Sequence, residues 1–538
     1  MHRCLRVPEM LDMICLYLNP SLCTSDSESG YDFYPFRHLA EVARTCRTFC
    51  GPALDHLWRS AILAQLLVGC MPSDLWAVEK AEWPGDSNTV IGRGFAFTPR
   101  ASKLSAVVLT PPGFCDWSLS HIFPALSVAI PEALFPNLQT LSWKQRPEEF
   151  HCIQLFLHPR LKSIDFKLHS ASSTSLLSTL ATKCPNLTEL SIESVDFTQH
   201  ISELVCRLHF LEKITVFSLA SDALTHVSRL PNLSSLQLEA LPAKLQVSFR
   251  FGTTFPTLGT LELTHPDIGP TTEFLRLCSA APLKKFRASF AEFVTAAKMH
   301  KLFVAMTVAF SHWTLEELSL DTECPKSGSD PTIHLIPHHL IRPLLCFTSL
   351  TVFSVMSPIG FTLDNEAISE FARALPQIVT FKLLARHPDM SHPPGPTLEC
   401  LHSFARRCPH LSVLGLALNG DKSVSAVDLS KVQDGVLHQS LVSLDVGHSP
   451  IWNVIAVARF LSIVFPNLRT ISTEREDAER YDEFDEGPEW PEDLKRYRRW
   501  IEVQVTIPAI SRTGGGEDTG EAVVELVKQR RSACFDFL

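Results

Sequence analysis

The chain has 538 residues, 45% of them hydrophobic and 20% charged, with 48 Lys and Arg set against 58 Asp and Glu. That excludes a disordered chain, and the length exceeds one ordinary core, so several domains or a repeat array are expected. The formal charge of −10 argues against a general binder of nucleic acid or anionic membrane, and an excess of Pro (37) over Gly (22) argues against glycine-rich phosphate loops.

The first twenty residues hold Pro8, Glu9 and Asp12 and lack the uninterrupted apolar stretch of a secretory signal. The longest apolar run, around Val454 to Phe465, is broken by Arg459 and is too short to span a bilayer. A soluble protein is expected. The sixteen cysteines are scattered singly with no C-x-x-C pair, which predicts reduced, mostly buried thiols and a cytoplasmic or nuclear location.

Residues 7 to 62 carry three short amphipathic stretches. Val7-Pro8-Glu9 opens the first, where Leu11, Ile14, Cys15 and Leu18 share one helical face. Leu39, Val42, Ala43, Cys46 and Phe49 trace the second, and Leu54, Leu57, Trp58 and Ile62 the third. Three such helices make a poor independent core, so the module either completes itself against a partner or caps the adjoining domain.

In the next region a pattern of Leu-x-x-Leu-x-Leu, often behind Pro-Asn or Pro-x, recurs from about 104 to 473. It reads PNLQTLSW from Pro136, PRLKSIDF from Pro159, PNLTELSI from Pro185, PNLSSLQL from Pro231, PTLGTLEL from Pro256 and PHLSVLGL from Pro409. The first apolar positions are 104, 138, 161, 187, 211, 233, 258, 283, 315, 350, 378, 411, 441 and 468, about 28 residues apart on average and 22 to 35 apart individually. Leu190-Ser191-Ile192 has the alternation of a short strand. Between strands lie helical stretches such as TLECLHSFARRC, whose Leu398, Leu401, Phe404 and Ala405 form one stripe, and a proline ends each of them. A strand plus a helix cannot bury itself alone, so successive units must stack.

The predicted class is α/β: a short all-α module followed by an irregular solenoid with parallel strands on the concave side and helices on the convex side. The repeat resembles the leucine-rich repeat family over about 370 residues. That family places Asn or Cys at the ninth position of each unit, and among the units compared only the one starting at Leu411 has it, as Asn419. An irregular array is expected.

The order Val7-Pro8-Glu9, an aliphatic helix closing at Leu18, Val42 to Phe49 and Leu57-Trp58, directly before such an array, resembles the F-box family. The resemblance implies docking on the Skp-family adaptor of a cullin–RING ubiquitin ligase. Pro8, Leu11, Ile14, Leu18, Leu39, Val42 and Trp58 are the positions it marks for holding the module together or touching the adaptor.

On the array, the outward positions Asp165, Lys167, Glu189, Glu193, Lys213, Gln237, Glu262, Lys285, Arg287, Glu317, Asp321 and Lys382 form a mixed-sign face suited to a protein target. Residues 474 to 493 hold eleven acidic residues and two arginines, a net −9 that leaves −1 for the rest of the chain. They read as a charged linker. Lys495 to Arg499 come next, then Trp500 and an apolar-alternating IEVQVTI in a tail expected to be partly helical. The organisation expected is therefore 1–65 F-box-like, 66–103 connector, 104–473 repeats in about fourteen units, 474–493 acidic linker and 494–538 tail.

No phosphate-cradle, His-Glu-x-x-His or Gly-x-Ser-x-Gly motif is present, and Gly514-Gly515-Gly516 reads as a flexible linker. His334, His338 and His339 read as exposed polar side chains rather than a metal set. No enzyme activity and no cofactor are expected. The partners expected are the adaptor and a protein target, with neither nucleic acid nor membrane. The alternative is a non-catalytic repeat scaffold with no ubiquitin link.

Overall fold

A computed structural model describes residues 7–18, 37–57, 60–62, 76–80, 88–92, 106–109, 135, 137–143, 147–170, 174–242, 254–291, 294–322, 331–386, 393–420, 437–473 and 492–513. Trp58, most of the acidic stretch and the glycine triplet lie outside them. The chain divides into two compact units, Met1–Leu233 and Ser234–Leu538.

In the first unit, helices α1 (Pro8–Tyr17), α2 (Arg37–Ala43) and α3 (Arg47–Leu57) precede strand β1 (Ser60–Ile62). A hairpin pairs β2 (Trp76–Lys80) with β3 (Asn88–Gly92) antiparallel. Strands β4 (Ala106–Leu109), β5 (Thr140–Trp143), β6 (Ser163–Lys167), β7 (Glu189–Glu193) and β8 (Lys213–Val216) then extend a parallel ladder in the order β1-β4-β5-β6-β7-β8. The second unit continues the pattern with β9 (Ser235–Leu238), β10 (Thr260–Leu263), β11 (Lys285–Phe290) and β12 (Glu317–Thr322). A short pair, β13 (Ile336–Pro337) and β15 (Phe361–Thr362), flanks β14 (Val352–Ser357) in sequence. Strands β16 (Thr380–Ala385), β17 (Val413–Leu416), β18 (Ser443–Asp445) and β19 (Thr470–Ser472) complete the order β9-β10-β11-β12-β14-β16-β17-β18-β19.

Each of the fourteen repeat positions read from the sequence is followed two residues later by the first residue of a ladder strand, from 104 and Ala106 to 468 and Thr470. The fold is thus an α/β leucine-rich-repeat-like solenoid. Strand residues alternate between a buried and a half-exposed side, as in the iBiBiB pattern of Glu317–Thr322. The buried side meets helices such as Thr174–Lys183, which turns Leu176, Leu177, Leu180 and Ala181 inward. In the second unit aromatic rings replace some leucines: Phe381 lies 5.4 Å from Phe353, 5.6 Å from Phe371 and 4.9 Å from Phe404.

Proline sets the end of several helices. Leu375, Cys408 and Phe465 precede Pro376, Pro409 and Pro466, and their ψ angles of 62°, 71° and 73° lie outside the right-handed helical region. The turn into the next strand is held by a backbone device that no side chain announces. One carbonyl accepts two successive N–H groups from the following repeat, as Lys162 does from Thr188 and Glu189, Glu316 from Thr351 and Val352, and Val379 from Ser412 and Val413. The amide of Asn186 adds a bond to Pro159 O at 3.2 Å, and that of Asn467 one to Gln439 O at 2.8 Å. The neighbouring repeat therefore registers through backbone, which accommodates uneven spacing.

Two segments depart from the sequence reading. The second amphipathic stretch is split at Arg44-Thr45, where Thr45 Oγ1 donates to Val42 O at 2.7 Å, so Cys46 and Phe49 belong with α3 and not α2. Ile62 leaves the third helix altogether. It lies in β1, paired with Val108 of β4, because an open ladder edge offers backbone partners that outweigh a weak helical pattern. At the far end IEVQVTI is helical, inside Glu492–Thr513. Trp500, Val503 and Ile507 are buried at helical spacing, Trp500 Nε1–H donates to Ser449 O at 2.9 Å, and Ile471 N–H of β19 donates to Gln504 Oε1 at 2.6 Å. This helix satisfies and covers the last strand, the role of a terminal cap.

Candidate adaptor-docking and target-binding surfaces

The helical module has a small interior. Pro8 opens α1 behind Val7, whose carbonyl accepts from Met10 and Leu11 N–H at 3.1 and 3.2 Å. Leu11 and Cys15 turn inward and are buried with Leu39 of α2 and Ala53 of α3, while Leu18, Val42 and Ala43 pack at the edge of the cluster around Cys15. The fully buried His56 of α3 reaches Asp12 of α1, Nε2 to Oδ1 at 2.5 Å, and fastens the two helices together.

The candidate adaptor positions thereby separate into two groups. Leu11 and Leu39 are interior; Ile14, Leu18 and Val42 are half-buried. The same helix carries a second stripe, absent from the sequence reading, in which Met10, Met13 and Tyr17 are 46%, 51% and 79% exposed. With Ile14 they repeat at i, i+3, i+4 and i+7, so the signal was the complement of the stripe that forms the core. Nothing described covers them. Exposed methionine beside an aromatic ring is a contact surface that can adapt to a partner. At the start of α3 the Cys46 thiol is drawn below its usual range, chiefly by the Phe49 backbone amide.

The twelve face candidates all lie on ladder strands, and eight of them are ion-paired. Lys167 pairs with Glu193 across β6–β7, and Lys213 Nζ lies 2.6 Å from Glu189 Oε1 across β7–β8. The Lys213 ammonium, above all, holds the Glu189 carboxyl below its ordinary value. Lys285 and Arg287 of β11 share Glu317 of β12 at 2.5 and 3.2 Å. Asp321 of β12 is gripped through both oxygens by Arg386, just beyond β16. Asp165 accepts from Ser142 and Ser191 on the flanking strands at 2.9 and 2.8 Å. Gln237 and Glu262 are cross-strand neighbours, and Lys382 stands on β16 beside Ser354 of β14.

Sequence reasoning passed over Arg386 and the serines between the apolar residues of each strand: Ser142, Ser191, Ser319 and Ser354. Their signal was position, not charge. They occupy the outward middle place of each apolar-x-apolar triplet.

Among the described residues no group of three or more His, Cys, Asp and Glu is placed to hold a metal ion. His334 is buried rather than exposed, because its Nδ1, 2.9 Å from Val294 O, finds a backbone partner inside. His338 Nε2 lies 3.1 Å from Glu370 Oε2. No described helix is long and apolar enough to cross a membrane.

The described fold defines a class, a leucine-rich-repeat-like ladder behind a small helical module. No family model and no curated protein matches the chain. Among solved structures it is similar to the yeast Rad7 and Elc1 complex at 17% identity and a TM-score of 0.35, covering 60% of this chain and 78% of that one. A Bacteroides fragilis protein is similar at 12% identity and a TM-score of 0.22, covering 42% and 62%.

Proposed function

We propose that the chain recruits a protein target to a cullin–RING ubiquitin ligase, its helical module docking on the Skp-family adaptor and its strand face holding the target. It would catalyse nothing itself on this reading, and would act by raising the local concentration of target lysines beside the ubiquitin-carrying subunit. The observation that carries the reading is the uncovered stripe of Met10, Met13 and Tyr17 on a module whose interior is only a few residues wide. Such a surface buries itself against another protein.

The pairing of β1 with β4 favours a second reading, in which the module closes the open edge of the ladder and the chain is a scaffold with no ubiquitin link. Capture of the full chain on purified Skp-family adaptor separates the two. Adaptor docking predicts capture of the intact protein and its loss in Met10→Asp/Met13→Asp, with the unfolding midpoint unchanged. No capture of the intact chain removes the ligase reading and leaves the scaffold.

A further inference from the structure

The face of the second unit carries a cationic basin. Across β11, β12, β14 and β16 the outward row reads Arg287, Ser319, Ser354, Lys382 by strand register. The row on one side adds Lys285 and Glu317, and Asp321 with the Arg386 that grips it closes the other. Among the described residues Lys285, Arg287 and Lys382 stand here against Glu317, with Asp321 paired to Arg386 and Glu262 one strand further out beside Arg287.

Within the basin part of the hydrogen-bonding capacity is unspent. Ser319, Ser354 and Lys382 have no side-chain partner among the described residues, and all three are half-buried. Lys382 is also positioned. Its stem lies over Gly415 of β17, where a Cβ would come within 2.9 Å of Lys382 Cγ. The glycine lets the aliphatic stem lie flat against the strand. Lys285 and Arg287 share the single Glu317 carboxylate, and Lys382 has no ion-pair partner among the described residues.

We propose that this basin binds an Asp/Glu-rich segment of a protein partner, extended across β11 to β16. The inference rests on the strand face being the target surface and names the chemistry it selects. The positive charge stands at two edges three strand steps apart, Arg287 on β11 and Lys382 on β16, about 14 Å at about 4.8 Å per strand. That spread suits single carboxylates distributed along a chain better than one concentrated dianion. An extended peptide advances about 3.4 Å per residue, so acidic residues about four apart reach both Arg287 and Lys382. The intervening serine hydroxyls and the Lys382 ammonium donate to carboxylate oxygens without breaking an existing bond.

The test titrates the full chain with three labelled ten-residue peptides of common length: acidic at four-residue spacing, the same with Gln, and the same with Lys, followed by fluorescence anisotropy. The acidic peptide should bind, weaken as salt rises from about 0.05 to about 0.5 M, and lose about tenfold or more in affinity with Lys382→Glu, with Lys382→Arg restoring it. Circular dichroism and the unfolding midpoint confirm that each variant is folded. Equal binding of the three peptides, no binding of the acidic one, or an unchanged affinity in Lys382→Glu overturns the proposal. A phosphoserine version binding where the carboxylate version does not also overturns it. If the Gln or Lys peptide binds instead and Ser354→Trp blocks it, the face remains a partner surface and only the acidic selectivity is lost. If no peptide binds and Ser354→Trp leaves capture of cellular partners unaltered, the target-face reading falls as well.

Discussion

The helical module and the strand ladder are built from the same kinds of residue and stand at opposite ends of self-sufficiency. Among its described residues the module buries Leu11, Cys15, Leu39, Ala53 and His56, and leaves three large side chains of α1 in solvent. From β5 onward the ladder strands bury their inward apolar positions almost completely and repeat a shared backbone bond to a neighbour, and the last strand lies under Trp500 of a covering helix. Stacking supplies a ladder unit with its partners from the same chain. Three short helices have no such supply, and Met10, Met13 and Tyr17 stay uncovered. The ladder face shows the complementary logic. Most of its charged candidates are ion-paired in place, and Lys382 is left without a pair among the described residues.

The sharpest way to break this contrast is in the ladder interior. Phe381→Ala removes a ring packed on three others and should cost about 3–5 kcal/mol, read as a lowered midpoint in chemical denaturation. Leu39→Ala in the module should cost about 2–4 kcal/mol locally. It should open residues 37–57 to proteolysis while the ladder's denaturation midpoint stays in place; a shift of both together would show that the module and ladder fold as one.

Thiol labelling sharpens the contrast without mutation. Cys46, held below its ordinary value by a backbone amide, should react first among the described cysteines at neutral pH. Cys184 and Cys408, pushed up by burial to about 11 and about 12, should react only after unfolding, as should Cys278 and Cys400. The smallest effect belongs to the face ion pairs. Glu189 is paired with Lys213 and its carboxyl is lowered, so its contribution is present above the unfolded value near 4.5 and is lost as pH falls through the lower folded value. Both groups are well exposed, and Glu189→Gln should cost no more than about 1 kcal/mol at neutral pH and nothing in strong acid.

The ladder was legible because its signal is redundant: fourteen copies of one apolar spacing, each with a strand two residues on. The features that escaped were set by tertiary context. β1 exists because β4 offers it an edge, against the helical period of Leu54, Leu57 and Ile62. The tail was expected to be partly helical, but the alternation of IEVQVTI masked where its helix lies, though Trp500, Val503 and Ile507 keep helical spacing. The shared carbonyls that register each repeat are backbone alone and leave no mark on side chains. The surfaces were half legible. Charged outward positions were readable from alternation, but their mutual pairing depends on register, and Ser319 and Ser354 carry no charge to draw notice. On α1 the inward stripe was read and the outward one, equally periodic, was not.

Hydrogen exchange of the full chain with and without purified Skp-family adaptor tests the central claim most directly. Docking through the module predicts added protection in residues 7–18 and 37–57 and unchanged exchange along the ladder strands from Thr140 to Ser472. Protection confined to the ladder, or none anywhere at saturating adaptor, would contradict it.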